Sequence, residues 1–352
     1  VPVFRRSKSV VGLDLGHQVV KAVEISMEGP EPVITGFARA EVPQGADRAE
    51  AIAKVLQQGK FRSKQVVTSV SGQAVVVRYI SMVQMSDAEL RQAIKFESDK
   101  YLPFEADEVQ IDCQRLNRKP HSPTEGGSAG QDQISVVIAA CKKSAIEERL
   151  KEITRHNLTP LAVDVDVFAL ANAWELCGLA EMTGEGGKER AIALVDVGAS
   201  ITSINVLCGG ETCFSREISI GGADMTQAAA RRLGVEATEA EAIKRDPQGR
   251  EAEISRAITP VLEDMVSELS LSLDYVENRE GLRVEEILLS GGGVLAPGAV
   301  SYLEQATGRT ARTWNPLEGL RVAEGRVNVQ EMESCAPSLA VAIGLAARVC
   351  AQ

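Results

Sequence analysis

Apolar residues in this chain alternate, or run together in short stretches cut by glycine and polar turns. That spacing predicts strands interleaved with amphipathic helices. The opening reads as three strands, 10–15, 19–26 and 32–41, then a helix over 46–58 with Ile52, Val55 and Leu56 on one face. Two β-rich runs, 65–70 and 74–80, flank Ser71-Gly72 and read as a hairpin. Ser86-Asp-Ala-Glu89 is a capping box that opens a helix to Tyr101, and Pro103 ends it. A strand at about 107–115 follows. The polar, Gly/Pro/Ser-rich stretch 117–133 reads as a mobile hairpin loop, ahead of a strand over 133–140 and an amphipathic helix over 142–155.

A strand at 161–165 leads into a helix over 167–177, and Gly184-Glu-Gly-Gly187 reads as a flexible link. Strands at 191–197, 201–208 and 212–219 then repeat the three-strand opening. Helices at 222–233, about 236–245 and about 250–281 follow, and a strand at 284–289 runs into Ser290-Gly-Gly-Gly293. A last helix, 337–349, is apolar nearly all round and is expected to be buried. The duplicated order is an internal repeat. It predicts two similar α/β lobes closing on one cleft: a first lobe of 1–81 and 158–188, a small inserted subdomain at about 82–157, and a second lobe of 189–352 with its own subdomain at about 222–282.

A chain of 352 residues can bury two or more cores. Its net charge of −11 argues against nonspecific nucleic-acid binding, and the basic start Arg5-Arg6-Ser7-Lys8 is too short to change that. No apolar run approaches the roughly 20 residues that span a bilayer, and no secretory signal is visible, so a cytoplasmic protein without membrane insertion is expected. The seven cysteines lie mostly in apolar stretches without CxxC spacing and read as reduced core residues. The three histidines are too scattered for a histidine metal site.

Candidate chemistry lies in the repeat. VVGLDLGHQVVKAVEIS (10–26) and ALVDVGASITSINVLCGG (193–210) each carry an apolar strand ending in Asp, one residue, Gly, and a second apolar strand. A lone Asp-x-Gly is an ordinary turn. Two copies at the same phase point to facing turns that grip a metal–phosphate chain. In this reading Asp14 and Asp196 hold Mg²⁺ through water, and the backbones of Gly16, His17 and Gln18 and of Gly198, Ala199 and Ser200 meet the phosphates. Lys21 either neutralises phosphate charge or is a solvated strand lysine. Ser200 and Thr202 add hydroxyls. Gly291, Gly292 and Gly293, after a strand, would clear a surface for a flat ring. Asp164 and Asp166, at a strand end, could orient an attacking water or bind Mg²⁺ through water, and Asp166 reads first as a helix cap.

These segments, with ILLSGGGVLAPG (287–298), resemble the phosphate-1, phosphate-2 and adenosine motifs of the actin/Hsp70/sugar-kinase superfamily. Ala240-Glu-Ala-Ile-Lys244 is similar to the AExxK helix of bacterial actins, which implies ribose and base contacts for Glu241 and Lys244. Within that superfamily the chain resembles the PilM family of type IV pilus assembly, relatives of the cell-division protein FtsA: FESDKYLPF (96–104) and AVDVDVFAL (162–170) single it out, and Trp314-Asn-Pro-Leu317 supports it. The resemblance implies an α/β actin-like ATPase fold of two lobes and four subdomains, with an FtsA-like inserted subdomain at 82–157. It also implies ATP and Mg²⁺ between the lobes. The implied partner is the cytoplasmic N-terminal tail of the inner-membrane protein PilN, in a groove between the first and inserted subdomains. Communication with the pilus motor ATPases, and so twitching motility, would follow.

Apolar residues near the insertion, Tyr79, Phe96, Tyr101, Leu102 and Phe104, are the expected groove. His17 and Gln18 stand where many superfamily members carry Ser or Thr, so the expectation is nucleotide binding with at most slow hydrolysis. A small-molecule kinase of the same superfamily is the alternative, with Asp164 as its base. An FtsA-like filament is another, although its amphipathic basic anchor is not found in Ala-Ala-Arg-Val-Cys-Ala-Gln352.

Overall fold

The computed structural model describes residues 8–29, 31–43, 45–118, 133–177 and 190–351. Runs that are apolar on both faces become central strands covered on both sides. The first such set is β1 (Ser9–Leu15), β2 (Val19–Glu28) and β3 (Glu31–Glu41), followed by α1 (Ala49–Gly59) and β4 (Gln65–Val70). The inserted subdomain contributes β5 (Val75–Val83), α2 (Asp87–Tyr101), β6 (Val109–Leu116) and β7 (Gln133–Lys142), and α3 (Lys143–Thr154) continues β7 directly. Then come β8 (Thr159–Val165) and α4 (Asp166–Leu176). The second half holds β9 (Ala191–Val197), β10 (Thr202–Cys208), β11 (Glu211–Ile218), α5 (Gly222–Leu233), α6 (Ala237–Arg245), α7 (Glu251–Glu280), β12 (Val284–Ser290), α8 (Ala299–Thr307), β13 (Thr310–Thr313), β14 (Arg321–Val322), α9 (Val329–Ser334) and α10 (Ala340–Ala346).

The two large sheets share one plan. One runs β14-β3-β2-β1-β4-β8 and the other β11-β10-β9-β12-β13, so an antiparallel three-strand meander is followed by parallel strands in both. The expected duplication is therefore a duplication of topology. Helices α4 and α10 lie between the sheets, where Leu170, Trp174, Leu339 and Ile343 share one core with Val23 and Ile34 of the first sheet and Leu194 and Leu288 of the second. The helices sit very close: a Cβ on Gly344 would fall 1.7 Å from the Ala169 carbonyl oxygen, and one on Gly12 would fall 2.0 Å from that of Ala342.

Several expectations need correction. The runs at 65–70 and 74–80 are not a hairpin. β4 lies parallel to β1 and β8, whereas β5 joins the separate three-stranded sheet β5-β7-β6. Gly72, at φ +78°, redirects the chain between the two sheets. The inserted unit thus begins at β5, and α3 packs Ile153 into the core of the first lobe with Leu13, Val20 and Ile52. The end of the chain does not stay with the second lobe, because β14 pairs with β3 and α10 packs between β1 and α4. The last helix is α-helical only over Ala340–Ala346, with 3₁₀ turns on either side. The capping box at Ser86 and Glu89 forms as read. The stretch expected to be a mobile loop falls mostly, and the Gly184–Gly187 link wholly, outside the described residues.

Candidate functional site

Both Asp-x-Gly turns sit at the same place in their hairpins. The β1–β2 register sets Asp14 opposite Lys21, and the β9–β10 register sets Asp196 opposite Ser203. They open into one cavity of about 410 Å³ between the lobes, within the range of cofactor sites. Asp14, Gly16, His17, Gln18, Lys21, Asp196, Gly198, Ala199, Ser200, Glu241, Lys244 and Gly291 to Gly293 all line it, so the structure brings most of the expected site together.

Lys21 is not a solvated lysine. Its Nζ lies 2.6 Å from Asp14 Oδ2 and donates to the Ser338 carbonyl at 2.9 Å. Burial works against its charge, but Asp14 and Asp196 outweigh it and its pKa is raised. In the second turn the Gly198 N–H donates to the Ile201 carbonyl at 2.9 Å. The Gly222 and Ala223 N–H groups donate to the carbonyls of Gly198 and Ala199 at 2.9 and 2.7 Å, and the Asp224 carboxylate accepts from the Gly221 N–H at 2.9 Å. The start of α5 therefore clamps the turn, and Ala199 and Ser200 line the cavity. The glycine wall is tightly built: Gly291 has φ +92°, and a Cβ there would fall 2.3 Å from the Val197 carbonyl oxygen.

The AExxK helix is internally paired. Lys244 Nζ donates to the Gly222 carbonyl at 2.8 Å and to Thr226 Oγ1 at 2.6 Å, and lies 2.7 Å from Glu241 Oε2. Burial lowers the Lys244 pKa. Burial alone would raise Glu241, but Lys244, Thr226 and Arg245 hold it below its ordinary value. Arg245 pairs with Glu241 at 2.8 Å and with Glu41 at the end of β3, so it ties the second lobe to the first across the cavity mouth.

Two expected residues lie elsewhere. Asp164 is buried in an ion pair with Arg348, Nη2 to Oδ2 2.7 Å, and also accepts from the Val165 N–H at 2.9 Å. It is absent from the cavity wall. Strand β8 ends at Val165 and the chain turns into α4 at Asp166, so the two carboxylates no longer share a face. Asp166 points into the cavity instead and makes no side-chain cap for α4. Burial and the Asp14 charge push it up to about 6, against hydrogen bonds from Ser69 and Ser71. Thr202 is also off the site: it is buried and donates its hydroxyl to the Ile220 carbonyl at 2.7 Å, and Ser203 lines the cavity in its place.

Asp196 is likewise pushed up to about 6, mainly by burial, although Lys21 and the Ser290 hydroxyl, 2.8 Å away, favour its charge. Asp14, Asp166 and Asp196 thus share one buried field that a cation would relieve. Among the described residues no three His, Cys, Asp or Glu come close enough to hold a metal unaided. That donor set fits Mg²⁺, which keeps most of its water and borrows oxygens from a bound phosphate. Arg39, Arg149 and Arg245 add cationic wall that sequence reasoning missed. Each reads locally as a surface position on its own strand or helix, and only the packing of distant elements turns it inward.

The five aromatic and apolar residues near the insertion do not form one groove. Leu102 is core, with Tyr101 and Phe104 packed beside it. Phe96 is 88% exposed. Tyr79 lies on the opposite face of β5 from Val76, Ile80 and Met82, which face that core, and its hydroxyl is 2.7 Å from Ser215 Oγ in the second lobe. A second cavity, of about 260 Å³, lies where the root of the insertion meets both lobes, lined by Gly72, Val75, Val77, Val165, Val167 and Glu217 among others. Glu217 Oε2 accepts from the Gly72 N–H at 2.5 Å, while its buried Oε1 has no hydrogen-bond partner among the described residues. Burial and the Asp166 charge push Glu217 up to about 7.

Comparison with known proteins places the chain in a family. The family model for type IV pilus assembly protein PilM matches residues 12–350. A solved PilM-PilN type IV pilus biogenesis complex is similar at 29% identity, covering 97% of this chain and 98% of that one, with a TM-score of 0.82. Ethanolamine utilization protein EutJ from Carboxydothermus hydrogenoformans shares the fold, at 17% identity over 99% and 91% of the two chains and a TM-score of 0.54. The fold is actin-like, as the sequence motifs implied. With motifs, topology and cleft in agreement over nearly its whole length, the chain belongs to the PilM family of type IV pilus assembly proteins.

Proposed function

We propose that this chain is a nucleotide-binding adaptor of the type IV pilus inner-membrane assembly, which takes Mg·ATP between its lobes and the cytoplasmic tail of a PilN-type protein at its inserted subdomain. The observation that carries the reading is the likeness, over 97% of the chain, to a structure of a PilM-PilN complex. The cleft supports it. The two turns would offer backbone donors to the phosphates. Asp14 and Asp196 would hold Mg²⁺ through water, Glu241 and Arg245 would lie at the ribose, and the base would lie on Gly291–Gly293. When bound, Mg·ATP supplies a polyanion that draws the lobes together. Asp164, the expected base, lies outside the wall and is held by Arg348, and hydrolysis is slow in this reading. The kinase alternative loses Asp164 as its base for the same reason.

The second cavity suits the tail better than the expected aromatic residues do. Val75, Val77, Val165 and Val167 would meet apolar side chains of a short extended segment, and a peptide N–H or a basic side chain would supply Glu217 Oε1 with its missing donor. Such a tail would hold the protein against the inner membrane and link it, through the pilus complex, to the motor ATPases.

Isothermal titration tests the proposal, with Mg·ATP and with a synthetic PilN-type tail added separately and then together. The expected result is binding of both, loss of ATP binding in Asp14→Ala, and loss of tail binding alone in Val77→Glu. Tail binding unchanged in Val77→Glu would move the groove elsewhere, and binding of neither ligand would sink the reading.

A further inference from the structure

Among the described residues, Arg149 is the one residue of α2, α3 and the β5-β7-β6 sheet that reaches the wall of the cleft. It sits on α3, which continues β7, the central strand of the inserted sheet, without an intervening residue. Its one ion-pair partner among the described residues is shared. Arg149 Nη1 lies 3.2 Å from Glu152 Oε2, while Arg48 Nε takes the other oxygen of the same carboxylate at 3.0 Å. Arg48 Nη1 also donates to the Leu15 carbonyl at 2.8 Å, at the base of the first turn. Two guanidiniums therefore share one carboxylate, with the Arg149 side chain only 15% exposed. A desolvated guanidinium with half a carboxylate as its ion-pair partner is stabilised when a second anion joins it. His17, on the turn itself, adds no anion, and burial and both arginines lower its pKa.

The place of the cluster says which anion would join it. Arg149 feels the charges of Asp14 at the first turn and of Asp166 at the start of α4, whereas Glu241, Lys244 and the glycine wall belong to the second lobe. Resting on the nucleotide reading above, we infer that Arg149 binds the terminal phosphate of a nucleoside triphosphate, and that α3 carries its movement into the inserted sheet. A triphosphate would draw the guanidinium into the cleft and share it with Glu152. A diphosphate would leave Arg149 on Glu152 alone. The partner-binding subdomain would thereby distinguish the two nucleotides without contacting either base or ribose.

The test compares ATP with ADP, each with Mg²⁺, by titration calorimetry on the full chain and on Arg149→Met, Arg149→Lys and Arg48→Met. A charge-assisted hydrogen bond predicts a loss of roughly tenfold or more in ATP affinity for Arg149→Met, with ADP affinity within about twofold. Arg149→Lys should recover part of the loss, because it restores charge but not the planar fork. Hydrogen exchange in β7 should differ between ATP and ADP in the parent and not in Arg149→Met. Equal losses for both nucleotides in Arg149→Met, or no loss for either, would overturn the inference while leaving the nucleotide reading intact. A parent chain that binds neither nucleotide would overturn both.

Discussion

Lys21→Met isolates the charge balance of the cleft. Methionine keeps the length and apolar stem of the side chain but removes the ammonium that lies 2.6 Å from Asp14 and 2.9 Å from the Ser338 carbonyl. The pair is mostly buried, at 16% and 12% side-chain exposure. Removing one partner of a buried ion pair costs about 3–5 kcal/mol. The residual exposure argues for the lower end, about 3 kcal/mol, because water still reaches Asp14. Asp14 would then share the cavity with Asp166 and Asp196 without its nearest cation. Urea unfolding followed by tryptophan fluorescence reads this directly, since Trp174 and Trp314 are both buried in the core between the sheets. Adding Asp14→Asn to Lys21→Met should restore most of the loss, and millimolar Mg²⁺ should restore part of it in the single variant. A single variant within about 0.5 kcal/mol of the parent, or a double variant less stable than the single, would refute the reasoning.

The contribution of three buried carboxyls to stability should fall as pH rises from about 4 to about 7. Asp166, Asp196 and Glu217 have folded pKa values above their unfolded ones, so the folded state holds extra protons there and loses that advantage as they ionise. Glu217→Gln should flatten the upper part of this slope in denaturation series run at stepped pH, and an unchanged slope would count against the buried, unpaired carboxyl. Gly344→Ala should cost on the order of 3 kcal/mol in the same urea assay, because its Cβ would fall 1.7 Å from the Ala169 carbonyl oxygen and force α4 and α10 apart. Arg245→Ala should change stability by less than about 1 kcal/mol, since its pair with Glu41 is exposed. It should nevertheless speed release of a fluorescent ATP analogue in stopped flow, and release at the parent rate would show that the bridge does not close the cleft.

The sequence by itself determined the repeat, the two Asp-x-Gly turns, the glycine wall, the helix starting at the Ser86 box and most element boundaries. These rest on neighbours along the chain. Alternation fixes a strand's faces, a turn glycine fixes its hairpin, and an equal spacing from Asp14 to Lys21 and from Asp196 to Ser203 fixes equal registers. Tertiary structure alone decided which of two nearby residues is used. Asp166 rather than Asp164 enters the cleft because the strand ends between them, and Ser203 rather than Thr202 enters because strand residues alternate. It also decided that β4 and β5 part company at Gly72, that β14 and α10 return to the first lobe, and that Arg39, Arg149 and Arg245 converge from three separate elements. No local pattern encodes such convergence. It follows from how whole sheets and helices pack, and a surface arginine reads the same in sequence whether it ends in water or beside a buried carboxylate.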